Sequence, residues 1–122
     1  ALRSLKALIA DVPYSNKKLA SMDMEERYRL IISSILNAIG FSTELEHMLA
    51  TGRIAILCFS PRYIYVMELK LSKNGGLAAA EQQIKATQYL EPFKADKKRQ
   101  VVGLAIELED IGKGLLEWKR VE

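Results

Sequence analysis

Ile54-Ala55-Ile56-Leu57-Cys58-Phe59, then Ser60-Pro61-Arg62, then Tyr63-Ile64-Tyr65-Val66-Met67-Glu68-Leu69-Lys70-Leu71 is the stretch on which the fold turns. Two runs rich in β-branched and aromatic residues flank a proline-containing turn, the signature of a β-hairpin. Up to Met67 both runs are apolar on both faces, so the hairpin is expected at the centre of a sheet covered on both sides. Downstream, Ser72 to Gly76 is a polar loop, and Leu77 to about Leu90 reads as a helix ended by Glu91-Pro92. Val101 to Leu108 and Leu115 to Val121 read as further strands. Upstream, Phe41 to Met48 alternates weakly as a strand before the Thr51-Gly52 turn. Tyr28, Ile31, Ile32, Ile35, Leu36 and Ile39 mark one face of a helix, with Ser21 or Asp23 as N-cap and Gly40 as C-cap. Leu2, Leu5, Leu8 and Ile9 suggest a short first helix, ended by Val12 and Pro13. The order ααβββαββ implies an α/β domain. Its mixed central β-sheet is flanked by helices, with one right-handed crossover.

The 122 residues suit a single domain, and 49% hydrophobic with 27% charged residues excludes disorder. The apolar stretches are broken by Ser34, Asn37 or Glu68, which leaves no membrane span and no signal peptide and leads us to expect a cytoplasmic protein. Ala1 in place of an initiator methionine reads as a processed, trimmed or excised domain. The single cysteine, Cys58, excludes an intrachain disulfide and a zinc cluster and reads as a core residue. The single histidine, His47, excludes metal sites built on histidine pairs. A net charge of +3 permits nucleic-acid binding without demanding it.

Strand alternation puts Ile64, Val66, Glu68 and Lys70 on one face. A central strand thus ends in a carboxylate beside an ammonium. Either they form a site, or the strand emerges there into solvent with a surface ion pair. Gln83 lies among Ala79, Ala80, Ala86 and Leu90, where it either faces the sheet or marks a boundary. Glu25 sits in the first turn of its helix, where the dipole alone would favour a carboxylate. Glu44 and Glu46 are expected on one face of the first strand, solvated, with His47 on the other. Gly75-Gly76 lacks the lysine and spacing of a Walker loop. Lys94, Lys97, Lys98 and Arg99 form a basic cluster beside Tyr89 and Phe93, either a phosphate-binding loop or solvated surface.

Gly52-Arg53-Ile54, Tyr63 to Leu71, Ala80-Glu81-Gln82-Gln83-Ile84-Lys85 and Tyr89, in that order, resemble the PD-(D/E)XK nuclease superfamily. More narrowly, they resemble the nuclease-like domain found C-terminal to an AAA-type ATPase domain in bacterial proteins. Val12-Pro13-Tyr14, Glu25 with Tyr28, Gly40-Phe41, Glu46 and Trp118 extend the resemblance over nearly the whole chain. It implies a restriction-endonuclease-like fold and a magnesium-dependent phosphodiesterase if active. The implied partner is nucleic acid, DNA in particular, with an ATPase domain of the same protein as a further partner. By the same resemblance Glu68 ligates metal, Lys70 positions or activates water, Gln83 orients the site and Glu25 adds a carboxylate. The family has aspartate where this chain has Ala55. Three readings of Ala55 stay open: a degenerate nuclease that binds, a replacement ligand at Glu46 or Glu44, or an engineered alanine. With the bridging carboxylate gone, magnesium is expected to bind weakly or not at all. Lys70 is then expected to neutralise Glu68 directly.

Overall fold

The computed structural model describes residues 23–110 and 114–121. Helix α1 spans Met24–Ala38, followed by strands β1 (Ser42–Leu49), β2 (Gly52–Phe59) and β3 (Tyr63–Leu71). Helix α2 (Gly76–Ala86), β4 (Gln100–Leu108) and β5 (Leu115–Val121) complete the order. The helix expected near Leu2 to Ile9 lies outside the described residues.

The five strands form one sheet in the order β1-β2-β3-β4-β5. β3 and β4 run parallel, and the other three neighbouring pairs are antiparallel. This is the mixed α/β sheet expected from the sequence, with the β2–β3 hairpin inside it. Its two faces carry separate cores. Tyr28, Ile31, Ile32 and Leu36 of α1 cover one face, against Met67, Leu69 and Leu71 of β3 and Leu104, Ile106 and Leu108 of β4. Ala80 and Ile84 of α2 cover the other with Tyr89 and Leu90, against Leu57, Ile64, Val66 and Ala105. Period-two alternation along β3 and β4 sorts side chains between these cores. At about 25 cal/mol per Å² of apolar surface, this double coverage is the main source of stability.

Local chemistry fixes the helix ends. Asp23 caps α1, its carboxylate accepting from the Glu26 N–H at 2.9 Å. Gly40, at φ 107°, closes α1 in a Schellman turn: Phe41 N–H donates to Leu36 C=O and Gly40 N–H to Asn37 C=O. Helix α2 stops four residues earlier than its sequence suggests. Gln88 adopts φ 53°, and the Tyr89 N–H donates back to Ile84 C=O in a second Schellman turn. The turn swings Tyr89 beneath the sheet. The Gly75-Gly76 segment starts α2, and the Glu107 carboxylate accepts from the Leu77 N–H at 3.1 Å. Glu107 thus fills the place where an anion would meet this helix.

Candidate active site

The sheet opens at one place. The β2–β3 ladder ends at Ile56 paired with Met67. In the β1–β2 ladder Leu45 pairs with Ile56 and His47 with Ile54, but Glu46 and Ala55 do not pair. Glu46 takes φ 52°, a left-handed conformation that an L-residue holds only when its surroundings impose it. Alternation along β2 breaks at the same point, since Ala55 and Ile56 both join the α1-side core while Ile54 joins the other.

A cavity of about 380 Å³ occupies the opening, lined by Glu25 and Arg29 of α1, Glu46, Thr51 to Arg53, Ala55, Glu68, Lys70, Gln83, Thr87 and Tyr89. Six residues singled out from the sequence therefore share one space: Glu25, Glu46, Ala55, Glu68, Lys70 and Gln83.

Glu68 is the only charged side chain buried among the described residues, at 4% exposure. Its Oε2 has no protein hydrogen-bond partner. Burial pushes the Glu68 carboxyl up to about 7; Lys70 pulls it back, the Glu25 charge adds to the rise, and the backbone N–H groups of Ala55 and Leu69 pull it down. The direct neutralisation expected from Lys70 is therefore corrected. Among the described residues no ion pair joins Lys70 and Glu68; the ammonium favours the charged carboxylate, but desolvation outweighs it.

Gln83 reaches the cavity from α2 and donates from Nε2 to the Tyr89 hydroxyl at 3.2 Å. That hydroxyl donates to Arg53 C=O at 2.9 Å. Thr51 Oγ1 donates to Thr87 C=O at 2.8 Å, so two bonds tie the end of α2 to the start of β2. Gly52 permits the approach, since a Cβ there would lie 2.6 Å from the Tyr89 hydroxyl oxygen. Tyr28 pins α1 from the other side, its hydroxyl accepting from the Gly114 N–H at 2.8 Å.

Glu44 and Glu46 do not act as a pair on one face. Glu44 turns to His47 Nδ1 at 2.8 Å, while Glu46 meets Arg29 at 2.8 Å and Arg53 at 3.7 Å. The left-handed backbone at Glu46 separates them. The basic loop lies elsewhere. Lys94 pairs with Glu91 and Arg99 with Asp96, and Arg99 also covers the Phe59 ring at 5.6 Å. The Gln100 N–H that follows donates to Arg62 C=O, at the opposite end of β3 from Lys70. Lys97 and Lys98 are exposed there.

Arg29, Thr51, Thr87 and Tyr89 gained no role from the sequence. Arg29 was the most accessible to reasoning, since it stands one helical turn after Glu25.

A family model described as PD-(D/E)XK nuclease superfamily matches residues 23–114. The chain belongs to the PD-(D/E)XK nuclease superfamily. No curated protein and no solved structure matches it. Nucleases of this superfamily typically use a divalent metal, and the donors fit one in a limited way. The orphaned Glu68 Oε2 is an oxygen that a cation would satisfy, and Glu25 adds a second carboxylate in the cavity. No group of three or more His, Cys, Asp or Glu side chains gathers to hold a metal among the described residues. Magnesium suits one or two carboxylates when water and substrate phosphate supply the rest.

Proposed function

We propose that this nuclease-superfamily domain binds DNA through the Glu68 cavity and that its hydrolytic centre is degenerate. The carrying observation is the buried Glu68 carboxyl, whose Oε2 is unpartnered in a cavity that it shares with Ala55. An aspartate at 55 would add a further acid to this opening beside Glu68, where this chain has a methyl group. Glu68, with Glu25, would hold magnesium weakly, and water and phosphate would supply its other ligands. When bound, the ion would supply charge stabilisation at the phosphoryl group and a more acidic water. Lys70, also in the cavity lining, positions a phosphate or an attacking water. Gln83, fixed through Tyr89, positions the same group from α2. Without a strongly held cation these residues bind and orient but hydrolyse little.

The sequence resemblance also supports attachment to an AAA-type ATPase domain, for which this domain would act as the nucleic-acid-contacting module. Fluorescence anisotropy of a labelled DNA duplex in EDTA tests the binding reading. Binding that weakens as salt rises is expected. No binding to duplex or single-stranded DNA even at low salt would overturn it and favour a purely protein-contacting module.

A further inference from the structure

Arg29 and Arg53 lie at the mouth of the cavity, and both guanidinium groups approach the same atom, Glu46 Oε1, at 2.8 and 3.7 Å. One carboxylate oxygen serves two forks that together offer ten N–H donors, about five per guanidinium. It is thus a poor match for the pair, whereas a phosphate can place separate oxygens against each. The Arg29 side chain is only 16% exposed and so forms part of the wall, whereas Glu46 is 42% and Arg53 58% exposed. The ion pair is open to water and displaceable rather than locked in a core. Two further features set Glu46 apart. Its backbone is left-handed, and it is missing from a β1–β2 ladder that resumes on both sides. Releasing its side chain would therefore break no β1–β2 pair. The lining sets three basic side chains, Arg29, Arg53 and Lys70, against three acidic ones, Glu25, Glu46 and Glu68. Withdrawing Glu46 tips it towards anions.

We propose that Arg29 and Arg53 are a phosphate-binding pair and that Glu46 is their resident competitor, displaced by a phosphate of a nucleic-acid strand. The inference rests on the DNA-binding reading above for the identity of the ligand. It makes Glu46 a gate on substrate rather than a replacement for the carboxylate missing at Ala55.

The test compares native protein, Glu46→Gln, Arg29→Gln, the double variant and Glu44→Gln in EDTA. Glu44→Gln makes the same change in charge on the same strand, at a side chain held by His47 outside the cavity lining. Duplex affinity by anisotropy is expected to rise about tenfold in Glu46→Gln and less than twofold in Glu44→Gln. It is expected to fall in Arg29→Gln, and the gain from Glu46→Gln should vanish when Arg29 is also replaced. Inorganic phosphate, followed through the Arg29 Nε resonance, should shift Glu46→Gln at concentrations that leave native protein unmoved. If native protein and Glu46→Gln both fail to bind DNA but the variant takes phosphate, the competitor stands and the DNA reading fails. If native protein binds DNA but Glu46→Gln gains no more than Glu44→Gln, the competitor fails and the DNA reading stands. Loss of magnesium affinity in Glu46→Gln by calorimetry, with no gain for DNA or phosphate, would make Glu46 a metal ligand and overturn the proposal.

Discussion

Glu68 is held where its charged form is least welcome. Its carboxyl stands at about 7, raised first by burial. The sign of the linkage follows. Below the ordinary carboxylate value the acid is protonated in folded and unfolded chains alike and contributes nothing. As pH rises through the ordinary value towards 7, the unfolded chain releases its proton first, so the native state is progressively destabilised. The full effect, about 3 kcal/mol, is present above 7. Glu68→Gln is therefore expected to gain stability relative to native protein by about that amount between pH 4.5 and pH 8 in paired urea titrations. The comparison cancels any fixed cost of the amide. A constant difference across this range would show that Glu68 titrates as an ordinary carboxyl. Much of this residue was legible beforehand: alternation along β3 placed Glu68 and Lys70 on one face, and the cost of a buried charge marked them. The balance between burial and Lys70 was not legible, because it depends on a distance that spacing along one strand does not set.

At the scale of elements, the apolar runs of β2, β3 and β4 and the stripe of α1 were readable because burial imposes a period of two or 3.6 on the sequence. The caps at Asp23 and Gly40 were readable for the same reason that they work, one a short acceptor and the other free of a Cβ. The end of α2 was not. Glutamine rarely adopts the left-handed conformation, so Gln88 carries no stop signal, and the apolar residues after it suggested more helix. The left-handed backbone at Glu46 escaped notice in the same way, and with it the break in β1. What holds the two sides of the cavity is the chain from Gln83 through the Tyr89 hydroxyl to Arg53 C=O. Tyr89→Phe removes both bonds of a buried side chain. It is expected to destabilise the domain by about 1–2 kcal/mol and to loosen the start of β2, seen as faster amide exchange at Ile54 and Ala55. Unchanged stability and exchange would mean that packing alone positions Gln83.

Across the whole molecule, the cavity and the basic loop occupy opposite ends of β3. Seven residue steps separate Tyr63 from Lys70, or roughly 23 Å at about 3.3 Å per step. The loop contributes no residue to the cavity lining. A duplex laid along β3 would nonetheless reach both within about one helical turn. Within the cluster, Asp96 already engages Arg99 and the backbone N–H groups of Lys98 and Arg99, and these hold its carboxyl below the usual range. Lys97 and Lys98 are exposed and, on the DNA-binding reading, would be the side chains to meet phosphates. Neutralising both is expected to lower the slope of log affinity against log salt by about 2. An unchanged slope would identify the loop as solvated surface.

On the proposed reading, the alanine at position 55 bears on all three scales: it lines the cavity beside Glu68, it sits where β1 and β2 fail to pair, and it lacks the acid that a firmly held metal would need. Supercoiled-plasmid nicking across a magnesium titration tests this most directly, on native protein, Ala55→Asp and Ala55→Asp with Glu68→Ala. Native protein is expected to nick little or not at all, while Ala55→Asp binds magnesium more tightly and gains cleavage that Glu68→Ala removes. Robust magnesium-dependent nicking by native protein, abolished by Glu68→Ala alone, would contradict the account and show that the centre is complete without an acid at 55.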